Sequence, residues 1–257
     1  MKICIMGAGK MGMFMADTLC MDHDVAVYAR RPEKLRYCLN TRRFTSMEEI
    51  REFDPDLLIN AVTIKNTLSA FEEVLPNLRP SCMLSDIASV KTGLPEFYAK
   101  CGHPFVSTHP MFGPTFANLG NLSKENAIII SEGDYMGRIF FKDLYSKLGL
   151  NICDYTFQEH DETMAYSLSI PFVSTFVFAG VMKHLDAPGT TFKRHLKIAR
   201  GVLSEDDTLL REILWNPHTV GQVENIQKQL TDLIDIIGKK DEKALQQYLT
   251  RIRKNIE

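Results

Sequence analysis

Three glycines in the pattern GxGxxG follow the first apolar segment of the chain and precede an amphipathic helical pattern. In a βαβ unit the first glycine permits a tight turn, the second lets the backbone approach a pyrophosphate, and the third lets helix and strand pack closely. The helix N-terminus then offers unpaired N–H groups to the phosphates. This position predicts a dinucleotide-binding loop rather than a glycine-rich turn without a ligand. The predicted cofactor contacts of the loop are Gly7, Gly9, Lys10, Met11 and Gly12.

Short apolar runs alternate with helical patterns over the first half of the chain, and only amphipathic helical patterns follow. Strand and helix in turn, with near-continuous apolar strands, indicate a parallel sheet covered on both faces. We predict an α/β fold, with an N-terminal Rossmann-type parallel sheet domain at 1–153 and an all-α C-terminal domain at 154–257. The predicted strands of the first domain are Lys2–Met6, Asp24–Tyr28, Leu57–Val62, Met83–Asp86, Phe105–Thr108, Ala127–Ser131 and Leu150–Cys153. Its predicted helices are Met11–Cys20, Pro32–Asn40, Asn66–Leu75, Gly93–Lys100 and Met136–Leu148.

Composition argues against several classes of protein. The formal net charge of −2 gives no electrostatic reason to expect a nucleic-acid partner. The six cysteines are scattered without a CxxC pair, so we expect free thiols, no metal site and a cytoplasmic location. Glycines interrupt the N-terminal apolar run, unlike the core of a signal peptide. The longest apolar stretch, Leu168–Met182, falls short of the roughly 20 residues that span a bilayer, so we expect a buried helix and no membrane contact.

The residues after the second predicted strand would meet the ribose of the cofactor. NAD enzymes usually place Asp or Glu there, about 20 residues beyond the glycine pattern, to bond the 2′-hydroxyl. This chain has Arg30 and Arg31 instead, and two guanidinium groups suit a 2′-phosphate. The alternative is that both arginines are solvated loop residues. We expect NADP as the cofactor, with NAD as the alternative.

Two polar segments follow later strands, at the edge where doubly wound sheets bind ligands. Ser89 lies in the first segment and His109 in the second. A neutral histidine there accepts a proton from a substrate hydroxyl as hydride leaves the same carbon, and a serine beside it bonds the hydroxyl or the imidazole. Taken alone, Ser89 also fits a helix N-cap, and His109 a histidine held by the following proline turn. After a cofactor fingerprint, the pair favours catalysis.

Four segments, in this order and spacing, resemble the prephenate dehydrogenase family and the related arogenate dehydrogenases. They are GAGKMG, DIASVK, THPMFGP and HDETMA, which begin at residues 7, 86, 108 and 160. The resemblance implies that His109 is the base for a ring hydroxyl, that Ser89 assists it, and that His160 faces the substrate. It also implies oxidative decarboxylation, with hydride passing to NADP from a cyclohexadienol that carries two carboxylates. Prephenate would give 4-hydroxyphenylpyruvate, and arogenate would give tyrosine.

Two carboxylates on the substrate require cationic side chains from the helical domain. The segment around residues 192–200 resembles one in which family members bind a substrate carboxylate through an arginine, and the matching residue here is Lys197. Lysine keeps the charge but loses the bidentate geometry, and Arg200 one helical step further could compensate. A second departure is Phe172, which stands where the family often has a histidine. This change removes a polar group from the expected pocket.

Other functions remain open from the sequence. A related NADP-dependent imine or β-hydroxyacid reductase would share the glycine pattern and the helical domain, but the region of its catalytic lysine holds Pro171 and Phe172 here. A non-catalytic NADP-sensing protein is favoured by Phe172 and Lys197 and opposed by the intact Ser89 and His109. By analogy with the family, we expect a homodimer through the helical domain. Some family members carry a fused chorismate mutase or a regulatory domain, and we expect neither here, because the chain ends soon after its last predicted helix.

Overall fold

The computed structural model describes residues 1–113 and 118–256. The chain divides into two compact units, Met1–Thr163 and Met164–Glu257. The first unit holds one sheet with flanking helices, and in the described residues of the second unit the regular secondary structure consists of helices joined by short loops. The predicted fold class, a Rossmann-type α/β domain followed by an all-α domain, is therefore confirmed.

The sheet unit extends past residue 153, where the sequence placed the domain boundary. The cause is Phe157, whose ring stacks on those of Tyr98 and Phe105 at centroid distances of 6.4 and 6.3 Å. Its backbone N–H also donates to the Glu132 carboxylate at 3.1 Å. The first helical turns beyond the sheet are thus bound to the sheet unit.

The described residues of the first unit form eight strands. They are β1 (Lys2–Met6), β2 (Asp24–Tyr28), β3 (Arg42–Phe44), β4 (Leu57–Asn60), β5 (Met83–Asp86), β6 (Phe105–Pro110), β7 (Asn126–Ile130) and β8 (Asn151–Tyr155). Their order in the sheet is β3-β2-β1-β4-β5-β6-β7-β8. Every neighbouring pair is parallel except β6 and β7, which are antiparallel. The carboxyl ends of β1, β4, β5 and β6 therefore share one edge, where sheets of this kind bind ligands.

The helices of the first unit cover this sheet. They are α1 (Lys10–Leu19), α2 (Met47–Phe53), α3 (Thr67–Val74), α4 (Leu94–Tyr98), α5 (Tyr135–Lys147) and α6 (Phe157–Met164). Most predicted elements lie within a residue or two of these positions, although residues 32–37 form a 3-10 helix instead of an α-helix. The sequence reading missed β3, because two of its three residues are exposed arginines, and the short helix α2 that follows it.

The antiparallel pairing of β6 with β7 departs from the predicted parallel sheet. Parallel strands need a crossover connection, which is usually a helix. The described residues between Pro110 and Asn126 contain no helix, so β7 returns directly against β6. Strand β8 is again parallel to β7, because α5 supplies a crossover between them.

The second unit begins with a π-helical turn at residues 165–169 and continues as α-helices. They are α7 (Ile170–Val181), α8 (Thr190–Val202), α9 (Asp207–Leu214), α10 (Thr219–Lys239) and α11 (Glu242–Lys254). A buried hydrogen bond of 2.7 Å joins the hydroxyl groups of Ser169 and Thr219. This bond ties the π-helical turn to the start of α10.

The apolar helix near residue 170 differs from its prediction. Helix continues from Phe157 to Val181, and its 25 residues are long and apolar enough to cross a membrane by length and composition alone. Only 17% of its apolar 18-residue stretch is buried, and α7 has no buried residue. The prediction of a buried helix is therefore wrong for the single chain. An apolar run in a sequence shows that a surface tends to be covered, not which part of the protein covers it.

Candidate active site

The glycine loop (residues 7–12) joins the end of β1 to the start of α1. Gly7 has a φ of +110°, and a Cβ atom there would lie 2.7 Å from the carbonyl oxygen of Ala61. A Cβ atom on Gly12 would lie 1.9 Å from the carbonyl oxygen of Gly7, so only glycine allows this packing. Gly9 is the N-cap of α1, and no atom lies within 4 Å of its Cβ position. Open space beside a helix N-terminus fits a pyrophosphate group.

A cavity of about 420 Å³ opens beside the glycine loop. The predicted contacts that line it are Gly7, Gly9, Arg30 and Arg31. The other predicted contacts of the loop do not line this cavity. Lys10 is exposed at the first turn of α1, Met11 packs against the hydrophobic core, and Gly12 contacts the Gly7 carbonyl. Met11 and Gly12 therefore shape the loop from behind.

The far end of the cavity carries charges of both signs. The Arg30 guanidinium lies 2.5 Å from the Glu73 carboxylate, and both side chains are exposed. Among the described residues, the one carboxylate within 4.0 Å of the Arg31 guanidinium is that of Glu33, at 4.0 Å. Lys34 also lines the cavity, and its ammonium forms no ion pair within the described residues. Three cations and one carboxylate thus surround the place expected for the ribose.

Sequence reasoning missed Lys34 and Glu73. Lys34 lies one turn of 3-10 helix beyond Arg31, so the local run of basic residues was a usable signal. Glu73 belongs to α3, and only the tertiary structure brings it to Arg30.

His109 lies at the carboxyl end of β6 and is 7% exposed. Its Nδ1 atom is 3.0 Å from Nε2 of His160 on α6. The other ring nitrogen of His160, Nδ1, is 2.9 Å from the carboxylate of Asp161. The side chain of His160 is fully buried. The sequence reading named both histidines, but it did not predict that they contact each other.

Burial governs the charge of this pair. It is the largest cause that holds the pKa of His109 well below its ordinary value, and His160 and the Lys91 cation act in the same direction. Burial also lowers the pKa of His160, against the opposing effect of the Asp161 carboxylate. Both imidazoles are therefore neutral at neutral pH, which is the state that a general base requires.

Lys91 is a fully buried cation close to these histidines. Its ammonium donates to the Asp86 carboxylate and, at 2.7 Å, to the carbonyl oxygen of Thr108, the residue before His109. The hydroxyl of Tyr98 donates to the second oxygen of Asp86 at 2.8 Å. A buried charge is tolerated only with such partners. Lys91 lies in the DIASVK segment, but the sequence reading gave it no role of its own.

Ser89 lies in the loop after β5 and is half-buried. The alternative reading as a helix N-cap is wrong, because α4 begins only at Leu94 and its N-cap is Gly93. Within the described residues no hydrogen bond joins Ser89 to His109. Its assistance to the base stays a prediction.

The predicted substrate cations lie on α8 of the second unit. Lys197 and Arg200 are both exposed, and neither forms an ion pair within the described residues. Phe172, on α7, is half-buried and its ring lies 6.3 Å from that of Phe176. An aromatic partner accounts for an apolar residue at position 172.

In the described part of the chain, no group of three or more His, Cys, Asp or Glu side chains could hold a metal ion. All six cysteines are free thiols. Pro114, the last residue of the THPMFGP segment, lies outside the described residues.

Comparison with known proteins shows which families this chain resembles. Residues 18–138 match the model of the family described as prephenate dehydrogenase, nucleotide-binding domain. The probable arogenate/prephenate dehydrogenase of Methanocaldococcus jannaschii is 22% identical over 215 residues, 78% of this chain and 48% of that protein. Arogenate dehydrogenase 1, chloroplastic, of Arabidopsis thaliana is 23% identical over 241 residues, 87% of this chain and 37% of that protein. The chain spans about half the length of these relatives or less.

A solved structure covers the whole chain. Prephenate dehydrogenase from A. aeolicus, in complex with hydroxyphenyl propionate and NAD+, has a TM-score of 0.84 at 20% identity and covers 100% of this chain and 98% of its own. This likeness establishes the fold. Together, the three comparisons confirm the resemblance to prephenate and arogenate dehydrogenases. The family match begins after the glycine loop, so the assignment of that loop rests on its own geometry.

Proposed function

We propose that this chain, a relative of the prephenate and arogenate dehydrogenases, oxidises and decarboxylates one of those two substrates with a nicotinamide cofactor. The observation that carries the proposal is the buried, neutral imidazole of His109, on the same sheet edge as the glycine loop. Oxidation of an alcohol requires a base for the hydroxyl proton beside a hydride acceptor. The activities named for the relatives support the same reaction.

The reaction begins at the carbinol carbon of the substrate ring. This carbon releases hydride, and the hydroxyl proton passes to His109. A bound nicotinamide would supply the chemistry that accepts the hydride. The bond from the ring to its carboxylate then breaks, carbon dioxide leaves, and the bonding pair makes the ring aromatic. The resulting phenolate takes back the proton from His109. The protein therefore has to orient the ring and move one proton.

For Ser89 and for the cations of α8 we propose roles in binding the substrate. A hydroxyl at position 89 would hydrogen-bond the substrate hydroxyl and so hold it towards His109. Lys197 and Arg200 would bind the substrate carboxylates, with Lys197 contributing charge but not bidentate geometry. The exposure of both cations supports this role, because their ammonium and guanidinium groups remain accessible.

The charges around the cavity favour NADP over NAD. Arg31 and Lys34 line the cavity without a close carboxylate partner, and the end of β2 offers no Asp or Glu to a ribose hydroxyl. A 2′-phosphate would gain charge-assisted hydrogen bonds from these cations.

We further propose that the protein is a cytoplasmic homodimer that associates through its helical unit. Exposed apolar side chains on several helices support this assembly, including Val181, Trp215, Ile234 and Ile237. A second copy would cover the apolar surface of α7, which forms the second half of the continuous helix Phe157–Val181 that is long and apolar enough to cross a membrane. The polar pair of the buried His160 and the half-buried Asp161, near the start of that helix, argues against a lipid environment there.

The test of the activity is an absorbance assay for reduced nicotinamide on purified protein, crossing prephenate and arogenate with NADP and NAD. We expect turnover of one substrate with NADP. In the His109→Asn variant we expect kcat to fall by about 100-fold or more, with unchanged affinity for NADP. If all four combinations are silent while NADP still binds, the proposal is wrong, and a reductase or a sensing protein becomes the better explanation.

A further inference from the structure

His109, His160 and Asp161 form a continuous hydrogen-bonded line inside the first unit, called here the histidine relay. The two contacts measure 3.0 Å between the imidazoles and 2.9 Å from imidazole to carboxylate. His160 is fully buried and uses both of its ring nitrogens within the line. Its ring therefore has no free nitrogen to offer a substrate.

The direction of each hydrogen bond in the relay follows from the acceptor at its end. A carboxylate can only accept, so Nδ1 of His160 must carry a proton and donate it to Asp161. In a neutral imidazole the other nitrogen then has only its lone pair, so Nε2 of His160 accepts. Its donor is Nδ1–H of His109, which leaves Nε2 of His109 unprotonated.

We infer that His160 and Asp161 are positioning residues that hold His109 in the Nδ1–H tautomer, with Nε2 as the atom that takes the proton of the substrate. This inference rests on the proposed function for the reaction that His109 serves. It replaces the substrate contact that the sequence predicted for His160. A buried carboxylate that orients a catalytic imidazole is a known device of acid–base catalysis.

The charged groups around the relay favour its neutral resting state. Lys91 lies close enough to lower the pKa of both histidines, and burial acts in the same direction on each. Asp86 and Asp161 oppose this effect at His160. When Nε2 of His109 takes the hydroxyl proton, the new positive charge is one hydrogen bond from His160, whose far nitrogen contacts the Asp161 carboxylate. No further proton has to move, and the phenolate recovers the same proton.

The kinetic test uses Asp161→Asn, with Glu162→Gln as the matched control. Both variants replace one carboxylate with its amide, and Glu162 is exposed on the same helix. An asparagine amide that donates to His160 reverses both hydrogen bonds and puts the proton of His109 on Nε2. We expect kcat to fall roughly 100-fold in Asp161→Asn, with the KM for substrate within about twofold, and no change in the control.

The pH profile separates a wrong tautomer from a shifted pKa. Because the pKa of His109 is low, kcat/KM of the wild type should stay constant from neutral pH down into the acid range and fall only as the imidazole gains a proton. In Asp161→Asn the loss should persist on this plateau, since deprotonation does not correct a tautomer. A loss that vanishes at high pH, or a raised KM with kcat preserved, would overturn the inference.

A measurement without turnover tests the relay independently of the substrate. Nitrogen-15 NMR of histidine-labelled protein, saturated with NADP, reports which ring nitrogen carries the proton. We expect Nδ1–H for His109 in the wild type and in Glu162→Gln, and Nε2–H in Asp161→Asn. His160→Gln, which keeps an acceptor towards His109 but breaks the contact with Asp161, should retain Nδ1–H. An Nε2–H wild type would overturn the relay even if the enzyme is active, whereas a confirmed relay in an inactive protein would overturn only the proposed reaction.

Discussion

At the end of the cavity where we propose that the ribose binds, single charged residues should decide between NADP and NAD. The Glu73 carboxylate lies 2.5 Å from the guanidinium of Arg30. A 2′-phosphate would therefore compete with this carboxylate for Arg30. In the part of the chain that the structure describes, the carboxylate that could compete for Arg31 is that of Glu33, at 4.0 Å. The arginine that the sequence places first is therefore the less available of the two.

Replacing Arg31 with alanine should raise the KM for NADP about tenfold, since a hydrogen bond between charged groups contributes roughly 1.5–3 kcal/mol. The KM for NAD should not change, because NAD lacks the 2′-phosphate. Glu73→Gln should lower the KM for NADP by freeing Arg30. Initial rates over a cofactor series measure all three values. Arg36→Ala is the matched control, because Arg36 is exposed on the same 3-10 helix but stacks on Tyr37 outside the cavity. An unchanged KM for NADP in Arg31→Ala would refute the preference.

At the scale of elements, the buried ion pair of Lys91 and Asp86 joins the ends of two neighbouring strands. Asp86 ends β5, and the Lys91 ammonium also donates to the carbonyl of Thr108 in β6. The position of His109, the next residue in β6, therefore depends on a cation in another segment. The Lys91 ammonium thus contacts both the end of β5 and the strand that carries His109.

Lys91→Met should destabilise the protein by about 3–5 kcal/mol, because it leaves the Asp86 carboxylate buried without its partner. Asp86→Asn in the same chain should recover most of this loss, since the amide stays polar but removes the charge. Urea unfolding followed by circular dichroism gives the free energy of unfolding for each variant. Lys100→Met is the control at an exposed lysine of the same region. If Lys91→Met and Lys100→Met are equally stable, the ion pair has no structural role.

For the whole molecule, the question is what covers the apolar surface of the helical unit. Val181, Ile234 and Ile237 are 74%, 70% and 63% exposed in the single chain. Exposed apolar surface of this extent usually marks an interface.

Sedimentation should therefore show a dimer at micromolar concentration. Ile234→Glu places a charge in the apolar surface of α10 and should shift the equilibrium towards monomer. Ile256→Glu is the control, because Ile256 is 86% exposed beyond the end of α11. A wild type that sediments as a stable monomer would contradict the assembly, and co-sedimentation with lipid vesicles would favour a membrane surface instead.

Local patterns in the sequence predicted much of the fold. Strands such as β1 and β4 are apolar over almost their whole length because both faces are buried. The glycine loop was predictable because its three glycines follow a fixed local spacing between a strand and a helix, and Gly12 packs against the carbonyl oxygen of Gly7 within the same loop. For α2 a signal was present, since its N-cap Ser46 and Glu49 form a capping box, whereas two exposed arginines concealed the preceding strand β3.

By itself, then, the sequence determined most of the elements in their order, the glycine loop and the candidate base His109, because these depend on residues close together in the chain. Only the tertiary structure decided which side chains of the candidate site contact each other. His109 and His160 are 51 residues apart and Arg30 and Glu73 are 43 apart, and no local pattern encodes such pairs. It also decided that α7 is uncovered in the single chain. Side-chain pairing and burial are set by contacts between distant segments, and these form only when the sheet and helices pack.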